Sequence, residues 1–220
     1  MRKAVVMART GTPDIGVLIS GRGSNLQALM DAIADGRLGA RIRVVISNRA
    51  DAAGLLRARA GGLDACVVPH AGYASRADYD GVLASELRAR GVEWVCLAGF
   101  MRLLGPTFCD AYASRVLNIH PSLLPSFPGV AAQSQALQHG VKLSGATVHL
   151  VTAELDAGPI VAQAAVPVHD DDTEESLSAR ILEAEHAIYP TAVHRALHEE
   201  WQIVGRRVVF SGVASGRSVP

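Results

Sequence analysis

Three shortages narrow what this chain can do: no surplus of charge of either sign, few cysteines and no long apolar run. Lys+Arg and Asp+Glu both number 21, so no basic field marks a nucleic-acid surface and no acidic one a cation store. Small anionic ligands stay open. The cysteines are Cys66, Cys96 and Cys109, an odd count without Cys-x-x-Cys spacing and with apolar neighbours. They predict buried thiols in a reducing compartment rather than a disulfide framework. No segment approaches the apolar length needed to cross a bilayer, and "AVVMA" near the N-terminus is too short for a signal-peptide core. The expectation is a cytoplasmic protein without membrane or nucleic-acid partners.

What is there is a core-forming sequence. Hydrophobic residues make up 49% of 220 and charged ones 19%, which suits one well-buried domain. "DIGVLIS", "RIRVVIS", "LDACVVP", "VEWVCLA" and "SRVLNIH" read as strands with almost no polar face, as in a parallel sheet covered on both sides. Between them, "SNLQALMDAIADG", "DAAGLLRARAGG" and "SRADYDGVLASELRARG" have helical spacing and end at glycine. The alternation predicts an α/β fold with a doubly wound, mostly parallel sheet. After residue 140, "GATVHLV" and "GPIVAQAAVPV" are joined by a connection too short for a crossover helix. They predict an antiparallel edge hairpin near residues 145–168. "DTEESLSARILEAEHAIYPTAVHRAL" reads as a helix opened by a capping box at Thr173 and Ser176, with Pro190 kinking or dividing it. The expected organisation is an N-terminal extension over 1–14, a catalytic domain over 15–200 and a C-terminal hairpin or tail over 201–220.

Three places can carry chemistry. In "LISGRGSNLQAL" a strand, a glycine turn and a helix start make an anion site, with Gly23, Ser24 and Asn25 as donors. It is not a dinucleotide fingerprint, since Leu26 stands where the third glycine belongs. The glycines could equally make only a turn, with Ser24 or Asn25 capping the helix. In "VLNIHPSLLPSFPG", Asn118 and His120 are two apart at a strand's carboxyl end and face one spot. There the amide can donate to an oxygen and the imidazole can pass a proton. Pro121, Pro125 and Pro128 stiffen the loop in front. In "ELDAGP", Asp156 caps its own turn or, if near His120, stabilises the imidazolium and raises its pKa.

Together these stretches, with "ISNRADAAGLLRA", "LAGFMRLL" and "EAEHAIYP", resemble the glycinamide ribonucleotide formyltransferases, folate-dependent transformylases of purine synthesis. The resemblance spans roughly residues 15–195 and rests on many motifs in order. It implies attack of the amine of glycinamide ribonucleotide on the formyl carbon of 10-formyltetrahydrofolate, through a tetrahedral adduct and without a metal or an enzyme-bound intermediate. It implies Asn118, His120 and Asp156 as the catalytic trio. The phosphate loop maps onto Gly23, Ser24 and Asn25, and the acidic nucleotide contact onto Glu185. The folate pocket maps onto Arg76, Met101, Arg102, Leu103 and Leu104, with Thr152, Asn118 and the backbone of the 152–156 loop. Two departures stand out. "VAAQSQAL" from Val130 replaces a His-containing run in a segment that behaves as a mobile loop in relatives, and residues 1–13 precede the usual first strand.

Four other readings share the fold. A methionyl-tRNA formyltransferase needs a C-terminal barrel, and about 20 residues after position 200 are too few for one. A formyltetrahydrofolate hydrolase needs an N-terminal regulatory domain. A sugar-nucleotide formyltransferase fits the phosphate loop and "EAEHAIYP" less well. A non-catalytic nucleotide- or folate-binding module sits poorly with an intact trio. A homodimer is left open.

Overall fold

The computed structural model of the chain describes residues 5–6 and 11–211. Ten strands form one sheet: β1 Val5–Val6, β2 Asp14–Ile19, β3 Arg41–Ser47, β4 Ala65–Val67, β5 Trp94–Leu97, β6 Val116–His120, β7 Leu143–Leu150, β8 Ile160–Pro167, β9 Trp201–Val204 and β10 Arg207–Phe210. Their order is β1-β9-β10-β8-β7-β6-β5-β2-β3-β4. β4, β3, β2, β5 and β6 run parallel, as their two-sided apolar patterns require. Chain order reverses between β2 and β5, and the crevice beyond their carboxyl ends is where such sheets take ligands. From β6 onward β7 and β8 are antiparallel, and the C-terminal hairpin β9–β10 continues this side, with β1 outermost. Residues 1–4, 7–10 and 212–220, which fall in the expected extension and tail, lie outside the described residues.

Six helices are described: α1 Ser24–Ala34, α2 Ala53–Ala60, α3 Arg76–Ala89, α4 Pro106–Ala111, α5 Ala132–Gln138 and α6 Glu174–His198. Side chains of α1, α2, α5 and α6 share one core with Val17, Cys96, Leu117 and Val148. Those of α3 and α4 share the other with Leu18, Val95, Leu97 and Val116. The sheet is therefore covered on both faces. Cys96 is buried, whereas Cys66 and Cys109 are only half-buried.

Two sequence expectations change here. Pro190 does not divide α6, which opens on the Thr173–Ser176 capping box and runs unbroken through the proline. The missing N–H costs one backbone bond, and burial of Tyr189, Pro190, Ala192 and Val193 on the sheet compensates. The segment after Val130 is a helix where a loop was expected, because its Ala-Gln composition favours helix and Ala132 and Ala136 bury on the core.

The turn after β7 has no spare room. A Cβ on Gly158 would lie 1.7 Å from the Leu150 carbonyl oxygen. Gly158→Ala is expected to lower stability by about 2 kcal/mol or more and Tm by about 4–8 °C. An unchanged melting curve would show that the loop can shift without cost.

Candidate active site

β6 and β7 each interrupt an apolar strand with two polar residues, and the register brings them face to face. Asn118 pairs with His149, and His120 with Thr147. All four point to the α3–α4 side of the sheet, opposite Leu117, Ile119, Val148 and Leu150. On that side Val116 is the last β6 residue in the helical core, and the loop carrying Asp156 covers the polar positions instead.

Asp156 sits between two imidazoles. Its Oδ2 is 3.5 Å from His120 Nδ1 and its Oδ1 is 3.6 Å from His149 Nε2. The Gly129 amide donates to Oδ2 at 2.7 Å, tying the carboxylate to the end of the proline loop. Burial pushes this carboxyl up, but the nearby His149 imidazole, the Gly129 amide bond and the nearby His120 more than offset it, and it lies below the ordinary carboxylate value. Asp156 is therefore an anion in working conditions. Its backbone is left-handed, at φ 48°, as are Phe127 at 53° and Ala131 at 55°. Strained non-glycine residues gathered around one pocket are a mark of a built site.

The imidazoles have different tasks. His149 Nδ1 is 3.1 Å from the Leu150 carbonyl and its Nε2 is 3.1 Å from Asn118 Nδ2. A proton on Nδ1 satisfies both contacts, leaving Nε2 to accept from the amide. That fixes the rotation of Asn118 and keeps its second N–H free for a ligand oxygen. His120 Nε2 is 2.9 Å from the Phe127 carbonyl, so its neutral form carries the proton there and turns the Nδ1 lone pair toward Asp156. Burial pushes His120 down; the Phe127 carbonyl and Asp156 push it up without restoring the ordinary value, and His149 lowers it further. Asp156 does push the His120 pKa up, but burial outweighs it in the free protein.

The proline loop is braced from β7. Thr147 Oγ1 donates to the Ser122 carbonyl at 2.6 Å and accepts from the Leu124 amide at 3.0 Å. Gln163 Nε2 reaches both the Leu124 carbonyl and Thr147 Oγ1 at 2.9 Å.

At the other end of the crevice, Gly23 caps α1 with left-handed backbone at φ 75° and no side-chain cap. A Cβ there would lie 2.7 Å from Gly54 Cα, so the position needs glycine twice over. The reading in which Ser24 or Asn25 caps the helix is thereby removed. Asn25 turns its side chain away from the helix end: its Nδ2 donates to Glu185 Oε2 at 2.7 Å, while its backbone amide is one of the free N–H groups of the first turn. Glu185 is buried and pushed up to about 7, with the Asn25 contact opposing that rise.

The loop over residues 99–104 hangs from the same strand ends. Ser20 N donates to the Gly99 carbonyl at 3.0 Å, and Ser20 Oγ accepts from the Met101 amide at 2.8 Å. Met101 and Leu103 are 69% and 38% exposed, apolar surface left uncovered in a crevice. Arg102 and Arg76 are exposed beside it, and the Arg76 stem lies against Gly105. The Leu104 side chain is buried in one core with Tyr79, Leu83 and Phe100. Thr152 belongs to the Asp156 loop, its hydroxyl 3.4 Å from the Glu154 carbonyl.

Sequence reasoning passed over His149. The signal was present: "TVHLV" repeats in β7 the spacing of two polar residues that marked Asn118 and His120 in β6.

Residues 14–193 match the family described as formyl transferase. Phosphoribosylglycinamide formyltransferase of Escherichia coli is 48% identical over 180 residues, covering 82% of this chain and 85% of that protein. The human trifunctional purine biosynthetic protein adenosine-3 is 47% identical over 179 residues, 81% of this chain and 18% of that protein. The crystal structure of glycinamide ribonucleotide transformylase 1 from Symbiobacterium toebii superposes with a TM-score of 0.89 at 54% identity, covering 92% of this chain and 95% of that one. With residues 14–193 matched by the family model and 48% identity to the E. coli enzyme over 82% of this chain, the chain belongs to the formyl transferase family.

Proposed function

We propose that this enzyme transfers the formyl group of 10-formyltetrahydrofolate to the amine of glycinamide ribonucleotide, a step of purine synthesis. The observation that carries the reading is the Asp156 carboxylate held between His120 and His149, beside an Asn118 amide with one free N–H. The catalytic unit is residues 15–200, with 1–14 as an extension and 201–220 carrying the C-terminal hairpin β9–β10.

Each group has a task. The free Asn118 N–H donates to the formyl oxygen, which gains negative charge as the amine adds. His120 enters neutral, accepts a proton released by the attacking amine, and as imidazolium stabilises that oxygen. Asp156, fixed as an anion, makes the charged imidazole affordable and helps relay the proton to the departing folate nitrogen. The exposed Met101 and Leu103 suit a flat heterocycle, and Arg76 and Arg102 suit the carboxylates of a folate tail. The α1 N-terminus at Gly23 and Ser24 takes the nucleotide phosphate, and Glu185 accepts from ribose hydroxyls.

Mixing the protein with both substrates and following absorbance of the folate tests the reading. Turnover that needs the nucleotide supports it. Folate loss without nucleotide would indicate a hydrolase, and binding without turnover a module.

Glu185 adds a pH dependence. With its carboxyl near 7, it is largely protonated below that value and ionised above, and only the ionised form accepts two hydroxyl donors. KM for the nucleotide should therefore fall as pH rises from about 6 to about 8. The substrate phosphate also titrates in this range, so the comparison is with Glu185→Gln, which should flatten the dependence. Parallel profiles for the two proteins would remove Glu185 from the nucleotide site.

A further inference from the structure

A cavity of about 350 Å³ runs along the exposed side of α1, lined by Ser24, Gln27, Asp31, Arg37, Arg57 and His186 among others. It begins at the phosphate loop, because Ser24 is the first residue of α1, but none of its other lining side chains has a task in the reaction as derived above.

The cavity is electrically graded. Ser24 and Asp31 are seven residues apart on the helix, so they stand about 10 Å apart along its axis. The Asp31 carboxylate and the partial negative end of α1 lie away from Ser24. Arg37 is neutralised by Asp35 at 2.7 Å. Arg57 differs: its stem passes within 3.8 Å of where a Gly23 Cβ would be, and Nη1 donates to Gln27 Oε1 at 2.8 Å. Gln27 Nε2 in turn donates to Asp31 Oδ1 at 2.6 Å. This relay holds the guanidinium in place while using one of its five N–H donors. On the α6 side, His186 Nε2 is buried without a hydrogen-bond partner among the described residues. A guanidinium with N–H donors to spare, in a cavity that opens at a helix N-terminus, suits a phosphoryl group.

We propose that Arg57, positioned by Gln27, extends the phosphate site from the end of α1 into this cavity. It is then a residue that selects for the phosphorylated form of the amine substrate, with His186 completing the wall. The proposal rests on the functional reading above.

The test compares wild type with Arg57→Gln by two independent readouts. The first is thermal stabilisation by inorganic phosphate, which needs no turnover. Wild type should be stabilised and Arg57→Gln much less so. Equal stabilisation of both, or of neither, overturns the proposal even if formyl transfer is observed. The second is kinetics with glycinamide ribonucleotide and with its dephosphorylated riboside. Arg57→Gln should raise KM for the nucleotide about tenfold, equivalent to about 1.4 kcal/mol, leave kcat within about twofold and leave kcat/KM for the riboside unchanged. Equal losses on both substrates would mean that Arg57 acts only on the fold. Absence of turnover in wild type would strike the functional reading and leave the phosphate result standing.

Discussion

His120→Ala is expected to lower kcat by a factor of about a hundred or more while the protein stays folded and binds nucleotide. The imidazole is buried beside one carboxylate and one carbonyl, and no other group in the site can both take up the amine's proton and present it to the formyl oxygen. His149 is not equivalent, since both its nitrogens are in hydrogen bonds, to Asn118 and the Leu150 carbonyl, whereas His120 Nδ1 has only the 3.5 Å Asp156 contact. Removing the side chain also leaves the Phe127 carbonyl with only its 3.3 Å contact from Ser122 Oγ, so circular dichroism and a melting curve belong beside the rate measurement. Near-normal turnover in a folded His120→Ala protein would sink the assigned role.

The pH behaviour follows from the direction of the His120 shift. Its folded pKa is depressed, mainly by burial, so acidification protonates the unfolded chain before the native one. His120 therefore favours folding above its ordinary value, and that contribution is lost as pH falls through it. His120→Phe should weaken the acid-side loss of stability, which a series of Tm measurements against pH would reveal.

Asp156→Asn should cut kcat by about a hundredfold or more and leave KM for the nucleotide nearly unchanged. The carboxylate meets three donors or potential donors: Gly129 N–H, His120 and His149. An amide can serve Gly129 with its oxygen, but it then turns its NH2 toward His149 Nε2, which already accepts from Asn118. The register of amide and imidazole is disturbed, and His120 loses the only anion that favours its charged form. The α1 N-terminus, proposed to hold the phosphate, lies elsewhere and is untouched. An effect confined to KM for the nucleotide would count against a role in proton handling.

What could be read from the sequence divides along physical lines. β2 through β6 were legible because two-sided burial leaves an almost continuous apolar signature. Asn118 and His120 stood out against it for the same reason. Asp156 was legible only as one of two readings, since a turn aspartate capping itself looks the same in sequence as one aimed at a histidine; only the fold brings it to His120. His149 was overlooked because β7 was weighed as a hairpin strand rather than as a partner of β6. Leu104 looked like part of an exposed bend, and only the packing of α3 shows it turning inward. The short helices α4 and α5 are too brief to show a full helical period. The continuity of α6 through Pro190 is a tertiary override: burial of the surrounding residues outweighs one lost hydrogen bond.

The pairing of β6 with β7 bears on which changes of chain length this protein can absorb. Side chains alternate across a strand, so sliding β7 by a single residue would put Val148 or Leu150 opposite Asn118 and turn the His149 imidazole into the core shared with α1 and α6. An insertion in the connection between α5 and β7 leaves the alternation intact and should pass with little effect. The same residue inserted within β7 breaks the site without touching any of its named side chains. Sequence divergence among functional variants should therefore show gaps outside β7 and none inside it, even at positions where the residue type itself is free to vary.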